Sequence, residues 1–212
     1  INPRWGIRSE TIPYLNYQEA IELSLMDTPV LHPSTIEPLI EPNIQLEVRH
    51  LYHSNHDEKT VIGPELPEKE LKAVGCLPNV ISLGFSHHHV DSHQRQLVKI
   101  LGELAKNEVH WWGLESRLGD SRLIVSQHDM HRASTIFEQF NIDANHHQHL
   151  GLLSLIGCTE ADVEIINTLF DTTEFELSWL NQTSSAARVA IDGEDLSQAL
   201  QLLHDLIQKQ NT

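Results

Sequence analysis

The spacing of apolar positions changes several times along the chain, and each change marks an element. From Tyr17 to Met26, YQEAIELSLM, the apolar residues Ala20, Ile21, Leu23, Leu25 and Met26 form a broad helical stripe. Asn16 stands at the N-cap position and Glu19 three residues on, the spacing of a capping box. Pro29 ends that helix. Ser34 or Thr35 caps a short second helix, closed by Pro42. Ile44–Tyr52 alternates apolar and polar residues as a strand does, and Thr60–Ile62 reads as another. These elements are too few to enclose a core alone, so residues 1–63 read as the end of an α/β domain. Residues 64–70, in the Pro- and charge-rich GPELPEKE, are the expected linker.

Beyond the linker the grammar shifts. Leu71–Cys76 and Asn79–Phe85 read as two strands. A helix follows to about Asn107, capped by Asp91 or Ser92, with Leu97, Ile100, Leu101, Leu104 and Ala105 on one face. Val109–Ser116 and Arg122–Gln127 pair through a Gly119-Asp120 turn. Asp129 caps a helix through Phe140, and Asn145–Gln148 is a weak strand. The order then recurs: a strand LLSLIG, a helix Ala161–Leu169, a hairpin of Phe175–Leu180 with Ala186–Ile191, and a helix from Asp192 or Gly193 to about Lys209. Its stripe holds Leu196, Leu200, Leu203 and Ile207. Strand–helix–strand–strand–helix–strand, seen about twice, is the ferredoxin-like plan. The expected class is α+β: an α/β remnant plus two βαββαβ modules.

Charge narrows the partners. Fourteen Lys and Arg against thirty Asp and Glu leave −16, which repels phosphate backbones and argues against nucleic acid. No apolar run reaches the roughly 18 residues of a membrane span, so no membrane partner is expected. The chain opens INPRWGIRSE, with neither an initiator Met nor a charged-then-apolar leader, so a piece of a longer cytoplasmic protein is expected. Cys76 and Cys158 are too few for a disulfide framework and read as small buried hydrophobes in a reducing compartment. Fifteen histidines stand out, clustered at His87, His88, His89 and His93 and at His146, His147 and His149. Their spacing matches no metal-ligand pattern, so no metal site is expected. Asp91, Ser92 and His93 are catalytic residue types, but as neighbours in sequence they read as a helix start. No pair of carboxylates stands out as acid and base, and no catalytic residue is assigned. Trp111 and Trp112 point to opposite faces of one strand, one toward a core and the other toward an interface.

Three short stretches carry a resemblance, and Val30-Leu31-His32-Pro33 with its spacing is the specific one. Asn2-Pro3-Arg4, Val30-Leu31-His32-Pro33 and Thr60-Val61-Ile62, at these spacings, resemble the C-terminal end of the aspartokinase catalytic domain. The remainder resembles the paired ACT regulatory domains of that family, in which one ACT domain is inserted after the leading strand of the other. The resemblance divides the chain into a catalytic-domain remnant 1–63, a linker 64–70, a second ACT domain 71–78 with 150–212, and an inserted first ACT domain 79–149. It is greatest to the aspartokinase half of methionine-pathway bifunctional aspartokinase–homoserine dehydrogenases. Within it, Arg4 and Val30 match nucleotide-proximal positions, and Pro29 stands where a Lys is common.

The resemblance implies a parent that phosphorylates aspartate with ATP and Mg. The glycine-rich phosphate cradle would lie before Ile1, so this chain by itself is expected to need no cofactor and to transfer no phosphoryl group. It also implies a candidate effector site at Val90, His93, Leu97, Trp111 and Trp112. Lysine-sensitive relatives carry a Ser-Arg-Gly-Phe-like loop where this chain has His93-Gln94-Arg95-Gln96, and an Asp where it has Trp112. An indole cannot replace a carboxylate. The implied function is a dimerising regulatory region, a homodimer through its ACT modules. The alternative is a sensor that binds a small amino acid (Lys, Thr or Met) between modules.

Overall fold

The computed structural model describes residues 11–26, 31–49, 59–64, 70–86 and 89–210. Arg4, Pro29, Val30, His87 and His88, the end of the strand expected over 44–52, and most of the linker lie outside them. The first part has β1 (Tyr14–Asn16), α1 (Tyr17–Leu25), α2 (Pro33–Ile40), β2 (Leu46–Arg49) and β3 (Lys59–Gly63). β3 is central, parallel to β1 and antiparallel to β2. The capping box forms as expected: Asn16 and Glu19 exchange backbone-to-side-chain hydrogen bonds of 2.8 Å. The cap of α2 differs from expectation. Pro33 occupies the first helical position and has no N–H to satisfy, so the cap moves back to His32, whose Nδ1 accepts from the Ser34 amide at 3.3 Å.

The second part is one six-stranded antiparallel sheet. Its elements are β4 (Ala73–Ser86), α3 (Val90–Lys106), β5 (Trp111–Arg117), β6 (Asp120–Ser126), α4 (Met130–Gln139), β7 (Asn145–Ile156), α5 (Glu160–Asp171), β8 (Ser178–Gln182), β9 (Ala186–Asp192) and α6 (Leu196–Gln210). The strand order is β5-β6-β4-β7-β9-β8. Four strands at each end thus have the ferredoxin-like arrangement, and both sets share β4 and β7. The class is α+β, as the element order predicts.

The strands expected at Leu71–Cys76 and Asn79–Phe85 are one strand, β4, and Asn145–Gln148 continues through LLSLIG as β7. Pro78-Asn79 looks like a break in sequence, but in the sheet it is a bulge. The β4–β7 register shifts between Leu77 and Val80, where Asn79 takes φ 59, and again between Val80 and Ser82, opposite His149 at φ 64. One extra residue reverses the inside–outside parity of a strand. Val74 and Cys76 face α5 and α6 before the bulge, and Ile81, Leu83 and Phe85 face α3 and α4 after it. Both modules therefore keep their helices on the same face of the sheet.

Other boundaries move by local chemistry. α3 begins at Val90 behind His89, so Asp91 and Ser92 sit inside its first turn and make no cap. Ala105 is exposed, outside the stripe in which Leu97, Ile100 and Leu104 are buried. The helix expected from residue 192 or 193 begins at Leu196, because the Asp192 side chain accepts from the Glu194 amide in a preceding turn. The hairpin strand expected at Phe175–Leu180 is shifted to Ser178–Gln182. α5 has a capping box that sequence reading missed, Thr159 with Asp162.

Burial pushes the Asp129 carboxyl up, but hydrogen bonds from Arg132, Ser126 and His128 outweigh it and hold it below its ordinary value of 3.8. A depressed carboxyl stabilises the fold fully above that value, and the contribution is lost as pH falls through the folded value. In acid titrations followed by urea unfolding, Asp129→Asn is expected to flatten the fall in stability in that range. Leu83→Ala, at a fully buried site, is expected to cost about 2–5 kcal/mol. Ile44→Ala, at 52% exposure, should change stability by less than about 0.5 kcal/mol.

Candidate functional site

Two structural features of the sheet face opposite α3, α4, α5 and α6 could carry function. The first is the seat of α1. Met26, completely buried, packs with Val80, Ile124 and Leu152. A Cβ on Gly75 would lie 2.8 Å from Met26 Cβ, so only glycine lets the helix approach β4 this closely. Around this contact the polar groups pair. Lys72 Nζ meets Glu19 Oε2 at 2.9 Å, both nearly buried, so the residue that closes the α1 capping box also fastens β4. Arg188 on β9 holds both oxygens of Glu22 at 2.6 Å and donates to the Trp112 carbonyl at 2.7 Å. Its guanidinium lies 5.8 Å from the Trp112 ring centroid. Ser154 donates to Glu22 at 2.6 Å. One guanidinium thus joins α1, β5 and β9, using the planar fork that lysine lacks.

The second feature is a groove. The sheet curls until its edges meet: a Cβ on Gly113 of β5 would lie 3.2 Å from Leu180 Cβ of β8. α1, Trp112 and Leu180 fill one end of the enclosed trough. The other end is an open groove of about 650 Å³, with Ile124, Leu150, Leu180 and Ala190 among its walls.

The expected effector residues do not gather in one place. Val90 opens α3, and its side chain is outside the described set. His93 is fully buried, 4.8 Å from the Phe85 ring centroid, with Nε2 2.8 Å from Ser121 Oγ. Leu97 belongs to the core beneath α3, and Trp111 packs against that core. Trp112 faces the other way, toward Met26 and Leu180. His93, Leu97, Trp111 and Trp112 do not line the groove. The opposed tryptophans follow the strand alternation read from sequence.

His93 and Ser121 have the spacing of a base and nucleophile. However, Ser121 is 1% exposed, and His93 Nδ1 has no partner to orient the ring. Neither cysteine is in a disulfide, and both are buried. Burial, and then the Asp162 carboxylate, push the Cys158 thiol up to about 12, so it is a poor nucleophile. Among the described residues no group of three His, Cys, Asp or Glu could hold a metal ion. No helix among them is long and apolar enough to cross a membrane.

An α/β end joined to two ferredoxin-like modules on shared strands is the architecture present here, and comparison places it among known proteins. No family model matches the chain. It is 21% identical over 168 residues to the bifunctional aspartokinase/homoserine dehydrogenase of Buchnera aphidicola subsp. Acyrthosiphon pisum, covering 74% of this chain and 21% of that protein. The structure matches the aspartate kinase of Clostridium acetobutylicum with TM-score 0.80 at 19% identity, covering 96% of this chain and 51% of that one. It matches the ligand-free regulatory subunit of aspartate kinase from Thermus thermophilus with TM-score 0.54 at 13% identity, covering 65% of this chain and 97% of that one. The chain therefore spans about a fifth of the curated relative and half of the Clostridium enzyme. The resemblance to the C-terminal part of aspartokinases holds in sequence, and the fold is the one those proteins share.

The Arg188 junction was missed in sequence because its partners are 76 and 166 residues away. Arg188→Met is expected to cost about 2–3 kcal/mol in urea unfolding, because it leaves the Glu22 carboxylate half-buried without its partner. Arg188→Lys should recover less than half of that. In a double-mutant cycle with Glu22→Gln, strict additivity would show that the pair is not coupled.

Proposed function

We propose that this chain is the regulatory and dimerising ACT region of an aspartokinase-like protein. In the parent, ATP with Mg would phosphorylate the side-chain carboxylate of aspartate, and this part would transfer no phosphoryl group itself. The observation that carries the reading is the seat of α1. The α/β end, which resembles the tail of a kinase domain, is fastened into the shared sheet by Glu19–Lys72 and Glu22–Arg188. A change in how the modules sit against each other would reach α1 through Arg188, which touches strands of both. Regulation at a distance would need such a link together with a second arrangement of the modules that seats α1 differently. The Clostridium and Thermus matches support the fold side of this reading. The Buchnera relative, a bifunctional aspartokinase/homoserine dehydrogenase, supports an aspartokinase-like parent. Two buried thiols outside any disulfide are in keeping with a reducing cytoplasm.

Self-association is part of the proposal. Two large aliphatic side chains of the inserted module are exposed, Val98 on α3 at 69% and Leu118 in the β5–β6 turn at 81%. Sensing of Lys, Thr or Met by the stretch around His93 is the lesser reading, because His93 and Leu97 already lie inside a packed core.

Sedimentation at micromolar concentration is expected to show a dimer, and Val98→Glu with Leu118→Glu to shift it toward monomer. A monomer in the unaltered protein would remove the dimerisation half of the proposal. Calorimetric titration with lysine, threonine and methionine is expected to give no heat attributable to the His93 stretch, measured as no difference between the unaltered protein and Trp111→Phe.

A further inference from the structure

We propose that the last turn of α1, from Glu22 to Met26, is a catch that opens and closes on the trough while the six-stranded sheet stays folded. The opening rests on contacts within this chain. Its meaning as a signal rests on the regulatory reading above, which needs a second seating of α1.

The first turn of α1 is held on several sides. Tyr17 and Ala20 are buried with Leu15, Ile36 and Ile62, and the Asn16–Glu19 capping box and Lys72 tie down its start. The last turn is different. It carries Glu22 and no basic residue, so a carboxylate stands at the negative end of the helix dipole, where it is unfavourable. Arg188 and Ser154, reaching from the sheet, offset that charge. Leu25 is 37% exposed, and Met26 is the one side chain of this turn in the apolar cluster of Val80, Ile124 and Leu152. A methionine is unbranched and flexible, an anchor that withdraws without forcing its neighbours to repack.

The closed catch also leaves a polar group unsatisfied. Trp112 packs against the same cluster, and its Nε1 is buried with no acceptor among the described residues. Buried donors are almost always paired, and an unpaired one carries its full desolvation cost. Withdrawing Met26 lets water reach the Trp112 N–H and the Glu22 and Arg188 charges. Closing gains the burial of Met26 and the Glu22–Arg188 pair, whose Coulomb gain desolvation largely offsets. Opposing terms of similar size keep both arrangements accessible. Opening spares the sheet, because the two cores beneath α3, α4, α5 and α6 hold no described residue before Leu71.

Arg188 links the catch to both modules. It sits on β9 and donates to the Trp112 carbonyl on β5, so a shift of β5 against β9 moves the guanidinium that holds Glu22.

The test is amide hydrogen exchange of the full chain, at a pH where the rate follows the open population. Amides of Leu23–Met26 are expected to exchange at least about a hundredfold faster than those of Leu152–Leu155 in β7. Replacing Trp112 with benzothienylalanine keeps the ring shape and exchanges the N–H for sulfur. It should slow the α1 amides about tenfold, the scale of one unpaired buried donor. Gly75→Ala adds a Cβ that would lie 2.8 Å from Met26 Cβ, on a strand backbone that alanine accepts. It should speed the α1 amides about tenfold or more, with the β7 amides still the slower set. Exchange of both sets together in the unaltered protein would overturn the proposal. So would α1 amides indifferent to the loss of the indole N–H, as in a helix end that frays without Trp112, or Gly75→Ala exposing β7 along with α1. A closed α1 in a protein that still sediments as a dimer would remove the catch and leave the dimerising region standing.

Discussion

The antiparallel pair β4–β7 is the constraint on which the other contacts depend. Each strand runs through both modules, and each changes parity at the module boundary, at Asn79 and at His149. Without that change, Ile81, Leu83 and Phe85 would face away from α3 and α4, and one module would lose its core. The same irregularity bends the sheet, since bulges increase local twist. Bending brings β5 to β8 at Gly113 and Leu180. The α1 seat and the groove are the two ends of the trough that this closure creates.

Electrostatics divides the two ends. The chain has 14 Lys and Arg for 30 carboxylates, so cations are scarce. Two of them, Lys72 and Arg188, are spent at the α1 end, where they meet Glu19 and Glu22 with little exposure. Partly buried pairs with such geometry are costly to break and specific in register, whereas exposed pairs such as Lys106–Glu103 contribute little. At the other end Asp120, Glu174, Glu176, Asp192 and Asp195 line an open groove and are in no ion pair among the described residues. The trough is thus sealed where the α/β end docks and open where it does not.

Much of the fold could be read from local pattern. The Asn16–Glu19 capping box, the α6 stripe of Leu196, Leu200, Leu203 and Ile207, the hairpin at Gly119 and the opposed tryptophans are consequences of neighbours within a turn or two. The errors also share a cause. Pro78-Asn79 has the residues of a turn, but pairing on both sides keeps the chain extended through it. His93 belongs to a run of neighbouring histidines and reads as part of a helix start, yet it fills the space between Phe85 and Ser121. Ser34 is a good cap by type, but Pro33 moves the first free amide and His32 takes the role.

The sequence by itself determined the element types, the repeated βαββαβ plan and the similarity to the C-terminal part of aspartokinases, because these depend on periodicity, caps and short motifs. Only the tertiary structure decided which strands are continuous, where α1 sits and which polar groups remain without partners. Arg188 finds Glu22 across 166 residues, and the Trp112 indole N–H is left unpaired among the described residues. Both outcomes depend on how far a bulged sheet bends, which is set by the whole strand pairing rather than by any one stretch of residues.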